Sequence, residues 1–183
     1  MRIVTLINDE DYIAFNEAYQ FKSSEGRNSV SKYIIMFAIL LGLSVLVTFL
    51  VLLADVFDGK ILLADLLVPI GMAVYCTVIL ATFKSRIRKR IRKKVEKYRA
   101  EGNLTYDSEA TIDLTDEMIM EYTPKSTIRR EWRDIKSIIA DDGHYYLMVG
   151  PMQGLIIPFR CLGAEANTFL PYVQQRTGLG VIK

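Results

Sequence analysis

Three places in the chain hold residues that can do chemistry: a basic run, one histidine with a distant cysteine, and a carboxylate inside an apolar stretch. The run is KSRIRKRIRKKVEKYR, Lys84 to Arg99, with ten Lys or Arg against one Glu. Cations this dense bind phosphates, either of nucleic acid or of lipid headgroups. The whole chain has a formal net charge of only +2, so the rest of the chain is acidic in net balance. A nucleic-acid binder spreads its basic residues over a face and interleaves aromatics for base stacking, and here Tyr98 is the only aromatic in the run. No nucleic-acid partner is therefore expected.

His144 and Cys161 are the residue types of a base and a nucleophile. His144 is, however, the only histidine, and it follows Asp141-Asp142-Gly143 at a turn, where an exposed and inert histidine is common. No glycine-rich phosphate loop, HExxH or GxSxG pattern accompanies it. The expectation is a protein that is not an enzyme, with no catalytic residue, no metal and no cofactor. Cys76 and Cys161 are expected as small buried hydrophobes rather than a disulfide.

The elements that position the basic run come next. Tyr33 to Leu53 reads YIIMFAILLGLSVLVTFLVLL, 21 residues without a charge, enough to cross a hydrocarbon core of about 30 Å. Ile61 to Phe83 is equally long and contains Asp65, Pro69 and Gly71. An ionisable residue inside a span is a functional hypothesis, but Asp65 lies close enough to the end to be solvated. Pro69 and Gly71 are expected to bend the helix. The seven residues ADVFDGK force a hairpin with a tight turn at Asp58-Gly59. Ala38, Gly42, Ala73, Thr77 and Ala81 are small residues at four-residue spacing, an expected seam between the helices or between two copies of the chain. Lys22, Arg27 and Lys32 precede the first span and the basic run follows the second, which places both termini in the cytoplasm of a multi-pass protein of the inner membrane.

Within the run, Ile87, Ile91 and Val95 recur every four residues, with Tyr98 three further on, which predicts a helix with a narrow apolar stripe. Arg86, Arg88, Lys89, Arg90, Arg92, Lys93 and Lys94 are the expected membrane-surface residues, facing anionic headgroups.

The N-terminal segment predicts a strand over Ile3 to Ile7 and then a helix capped by Asn8 or Asp9, with Tyr12, Phe15 and Tyr19 on one stripe. A lone short strand is unstable, so it must pair with the C-terminal half. Lys22 to Ser29 predicts a polar connector. From Leu104 onward, short β runs alternate with turn signals: Leu104–Tyr106, Ala110–Leu114, Met118–Thr123, Thr127–Trp132, Ile135–Ala140, Tyr145–Val149 and Leu155–Pro158. A closing helix from Gly163 would use Ala164, Phe169, Leu170 and Val173 as core contacts, with Pro171 limiting it.

Three segments carry a resemblance: REWRDIKSI (Arg130 to Ile138), YYLMV, and LIIPFRCL (Leu155 to Leu162). Together they resemble the C-terminal signature of the YcxB-like family of bacterial membrane proteins, whose layout of a short N-terminal segment and two spans also matches. The matching positions are Trp132, Asp134, Ile135, Ile157, Pro158 and Arg160; Phe159 stands where the family often has a basic residue. The resemblance implies a small β domain similar to pleckstrin-homology-like modules, and no established activity. Trp132 is expected as a core anchor with Ile135 and Ile138, Arg129, Arg130 and Arg133 as a surface near the membrane, and Arg160 as the partner of Asp134.

The expected class is thus an α+β membrane protein. An N-terminal strand and helix (1–32), a span (33–54), an outer loop (55–60), a second span (61–83) and a basic helix (84–101) lead into an antiparallel β domain (102–183) with a C-terminal helix. Its expected role is binding of lipid headgroups or an unknown protein partner, with homo-oligomers open; the alternative is a small oligomeric transport or channel subunit.

Overall fold

The computed structural model describes residues 1–58, 63–102 and 109–183, without the side chains of 54–58, 63–66, 68 and 69. The turn at Gly59, the carboxylate of Asp65, the ring of Pro69 and the strand expected over Leu104–Tyr106 lie outside the described residues. The elements run β1 (Arg2–Thr5), α1 (Asp9–Lys22), α2 (Ser24–Asp58), α3 (Leu63–Ala100), β2 (Ala110–Leu114), β3 (Met118–Tyr122), β4 (Thr127–Glu131), β5 (Ser137–Ala140), β6 (His144–Gly150), β7 (Gln153–Pro158), α4 (Ala166–Thr177) and β8 (Val181–Ile182). The chain is α+β and divides into two compact units: residues 1–27 with 88–183, and residues 28–87.

In the first unit the N-terminal strand finds its partner in the C-terminal half. β1 pairs antiparallel with β2, Arg2 opposite Asp113 and Thr5 opposite Ala110, and the sheet continues as β1-β2-β3-β4. A second sheet has the order β7-β6-β5-β8, antiparallel except for β8, which lies parallel to β5 and was not expected from the sequence. Alternation along the strands gives each sheet one face toward a shared core of Ile3, Ile112, Leu114, Ile119, Trp132, Ile135, Ile138, Leu147, Leu155 and Ile157. Helix α4 closes this core with Phe169 and Val173, both fully buried. Ala164 is exposed instead of packed. Pro171 does not end the helix, which runs on to Thr177; both it and Asn167, whose carbonyl loses its partner, are exposed, so water can replace the missing bond.

The other face of the second sheet is covered as well. Ile139, Tyr146 and Met148 alternate with the core residues and pack against Phe15 and Ala18 of α1. Burial on both faces is why YYLMV and LII read as unbroken apolar runs. Helix α1 starts with a complete capping box: the Asn8 side chain accepts from the Asp11 N–H (2.9 Å) and Asp11 accepts from the Asn8 N–H (2.8 Å). Its end overturns the polar connector. Ser23 alone separates α1 from α2, donating to the Tyr19 carbonyl (2.6 Å) and accepting from the Gly26 N–H (2.9 Å). A Cβ on Gly26 would stand 2.2 Å from the Tyr19 carbonyl oxygen, so only glycine fits this bend.

In the second unit, α2 and α3 are long and apolar enough to cross a membrane. Their side chains point outward along the length: Val45 and Phe49 are each 58% exposed and Leu67 68%. Hydroxyls bond to carbonyls of their own helix, as in Thr48 to Ser44 (2.8 Å) and Thr77 to Ala73 (2.8 Å), which leaves them no need of water. The expected small-residue seam is not where these helices bury surface. Ala38, Gly42, Ala73, Thr77 and Ala81 are exposed, whereas Cys76 and Ile79 are buried and the rings of Tyr33 and Phe83 lie 6.3 Å apart.

Candidate functional site

The basic segment of α3 meets α1 in two ways. The first is charge: Arg92 reaches Glu10 at 2.6 Å, Arg88 reaches Glu10 at 3.4 Å and Glu17 at 3.3 Å, and Arg99 reaches Asp9 at 2.6 Å. Asp9 and Glu10 stand in the first turn of α1, where the helix dipole already favours negative charge, and Glu17 lies about two turns further on. The second is apolar contact. Val95, at the centre of the predicted stripe, is 2% exposed, and with Ile91 and Tyr98 it faces Tyr12 and Asn16 of α1. The stripe is thus covered by protein at Val95.

The seven expected surface cations divide accordingly. Arg88 and Arg92 are spent on carboxylates. Arg86, Lys89 and Lys93 are exposed. Arg90 and Lys94 line a groove of about 170 Å³ with Tyr12, Asn16, Tyr98 and Met152, and the Lys94 ammonium lies 5.7 Å from the Tyr98 ring centre. A larger cleft, about 950 Å³, opens between the sheets near Ile128, Glu121 and Leu155; Gly102 and Ala110, which border the undescribed residues 103–108, belong to its wall.

A second cluster fixes α1 onto the sheet, and most of it escaped the sequence. Arg160 does not pair with Asp134. Its guanidinium forks onto Asp11 with bonds of 2.7 and 2.5 Å and also donates to the Leu6 carbonyl (3.0 Å). Asp134 is occupied in accepting from the Glu131 N–H at 2.9 Å. Nor is His144 exposed: its side chain is 14% accessible, with Nε2 2.8 Å from Asp11 Oδ1 and Nδ1 3.0 Å from Asp141 Oδ1. A carboxylate on each side calls for a proton on each nitrogen, so the ring is an imidazolium. Burial pulls its pKa down, but the bonds to Asp141 and Asp11 outweigh that and raise it above the ordinary value. For both acids, burial is the largest influence and pushes upward. Donors from Arg160, Asn8 and His144 to Asp11, and from His144, Tyr146 and Gly143 to Asp141, prevail and hold both below the usual range. Tyr146 donates to Asp141 Oδ2 at 2.5 Å, and burial followed by that contact pushes its pKa far up. Two anions and two cations thus balance in a half-buried cluster. With both ring nitrogens engaged, His144 has none to activate a thiol, so the cluster works as a lock.

The remaining signature residues are structural. Trp132 donates to the Thr115 carbonyl (3.0 Å) and meets Tyr172 edge-on at 5.9 Å. Ile135, Ile157 and Pro158 are buried. Arg130 does not share a surface with Arg129: strand alternation turns it toward the core side, where it pairs with Glu121 at 2.7 Å. The sequence held one signal for the lock, the Asn8-x-x-Asp11 capping spacing, which explains Asp11 locally but says nothing of Arg160.

Compared with known proteins, residues 114–170 match the family model described as YcxB-like protein. No curated protein and no solved structure matches the chain. The matched stretch begins in β2 and ends in α4, and it contains both Arg160 and His144 of the lock. The YcxB-like assignment read from Trp132, Ile157 and Arg160 is therefore supported by the family model over residues 114–170.

Proposed function

We propose that the chain is a non-enzymatic integral protein of the cytoplasmic membrane, with both termini in the cytoplasm, that displays a pleckstrin-homology-like domain for binding lipid headgroups or a protein. The observation that carries this reading is the outward-facing apolar surface of α2 and α3, whose large apolar side chains from Tyr33 to Leu53 and from Leu67 to Leu80 are mostly exposed. A core helix of a water-soluble protein buries one stripe, and these bury almost none. The cation-rich segment follows the second apolar stretch directly, which favours the cytoplasmic side for it and for the β domain. A four-stranded antiparallel sheet, then a three-stranded meander, then a helix closing the core is the order of elements that supports the pleckstrin-homology-like description. A lock of charges without an unoccupied base supports binding over catalysis.

Reporter fusions test the topology. Fused after Lys183, a reporter active only outside the cytoplasm is expected to be silent, and one active only inside is expected to work. Extracytoplasmic activity of the C-terminal fusion, or release of the chain by alkaline carbonate extraction, would refute the proposal.

A further inference from the structure

The basic segment of α3 carries cations of two kinds. Arg88, Arg92 and Arg99 each have a carboxylate of α1 within ion-pair distance. Arg90 and Lys94 have no ion pair with any carboxylate among the described residues, although they stand one turn apart and edge the groove against α1. Like charges at this spacing destabilise a helix, so the fold leaves them an electrostatic deficit that an anion would fill. The groove suits one of mixed character. Ile91, Val95 and Met152 give it an apolar floor, Tyr12 and Tyr98 supply rings with polar tips, and no acidic side chain lines it. A guanidinium matches two phosphate oxygens at once, and an ammonium adds a point charge. Tyrosines beside apolar contacts are the residues found where headgroups meet acyl chains. The helix that presents both cations is continuous with the second apolar stretch, since α3 runs unbroken from Leu63 to Ala100.

We propose that Arg90 and Lys94 bind the phosphate of one anionic phospholipid headgroup per chain, in the groove that α1 closes. This deepens the membrane reading proposed above and rests on it. Exposed Lys89 and Lys93 on the same helix contribute a diffuse field without a site.

The test uses the full chain reconstituted with equal phosphatidylglycerol and phosphatidylcholine, released in mild detergent, with retained lipids counted by native mass spectrometry. Wild type is expected to retain one phosphatidylglycerol in preference to phosphatidylcholine, whose phosphate is offset by its choline cation, by at least about tenfold, the scale of one hydrogen bond to a charged group. R90Q/K94Q should lose that preference, while K89Q/K93Q, with the same loss of charge, should keep it. The Trp132 fluorescence melt shows whether each variant is folded, and R90K, which keeps the charge but not the fork, provides a milder substitution. Equal retention by R90Q/K94Q and wild type overturns the proposal, as does equal loss in both double variants. Inorganic phosphate that strips the lipid at matched concentration overturns the lipid assignment in favour of a soluble phosphate. A chain absent from the membrane fraction fails the membrane reading itself, whereas an inserted chain that retains no lipid fails the groove alone.

Discussion

The two sheets of the β domain are built from similar strands and differ in what lies over their outer faces. In the second sheet Ile139 and Tyr146 are fully buried beneath α1, and the rim of that contact is bolted by Asp11, Arg160 and His144. In the first sheet the outer positions are exposed: Val4 is 48% accessible and Tyr122 37%. One N-terminal arm serves both sheets, with β1 extending the first at its edge and α1 roofing the second. The difference teaches where stability is concentrated. The first sheet depends on its inner face alone, while the second depends on a helix that comes from the opposite side of the apolar segments in sequence.

The sharpest way to break this asymmetry is Asp11→Ala, which leaves Arg160 and His144 without their shared carboxylate. Asp11 is buried but Arg160 is half exposed, so the cost is expected at the low end of that for a buried pair, about 3 kcal/mol, and the Trp132 fluorescence melt of the full chain should fall accordingly. If Asp11→Ala and Arg160→Gln cost the same together as the sum of each alone, the two do not form one unit. Next comes a matched pair of truncations. Ile139→Ala, beneath the roof, is expected to cost about 3 kcal/mol, and Val4→Ala, on the open face, no more than about 0.5 kcal/mol. Equal costs would erase the distinction between the sheets. Gly26→Ala forces a Cβ against the Tyr19 carbonyl where α1 turns into α2, and overpacking of this kind costs about 2 kcal/mol. Hydrogen exchange should quicken in α1 before it does in the first sheet.

The smallest effect is a pH slope. His144 sits above its ordinary pKa of 6.5, so its contribution is complete below that value and is lost as pH rises through the raised one. Asp11 and Asp141 sit below theirs, so their contribution is present above an ordinary value of about 3.9 and is lost as pH falls through the lowered ones. Denaturant midpoints should therefore form a plateau between these limits, and His144→Gln should abolish the decline on the alkaline side while lowering the plateau.

Local patterns were legible in the sequence where the physics is local. The strand Ala110–Leu114 is found at its predicted bounds, and the Asn8 cap forms because its partners lie within one turn. The apolar stretches announced themselves by length. What was not legible depends on distant partners. Arg160 was matched with Asp134 because both lie in the signature, yet Asp11, 149 positions away, takes the guanidinium. His144 follows a turn signal that usually means exposure, and nothing nearby reveals that α1 will cover it. The small residues of the apolar helices mark close packing only if they face a neighbour, and spacing alone does not fix which way they face.

Arg2 and Asp113 stand 111 positions apart and still join by two bonds of 2.7 Å. This long-range pairing sets an order of assembly. While the chain is being made, β1 and α1 wait without partners until both apolar segments and the first β strands beyond them have been synthesised. If both segments cross the bilayer, the two halves of the domain arrive on the same side and close. If only one crosses, β1 is stranded on the opposite side from β2, and an unpaired strand edge is left open to aggregation and proteases. On the membrane reading proposed above, completion of the first sheet would therefore require that both apolar segments cross, since β1 and β2 lie on either side of them in sequence.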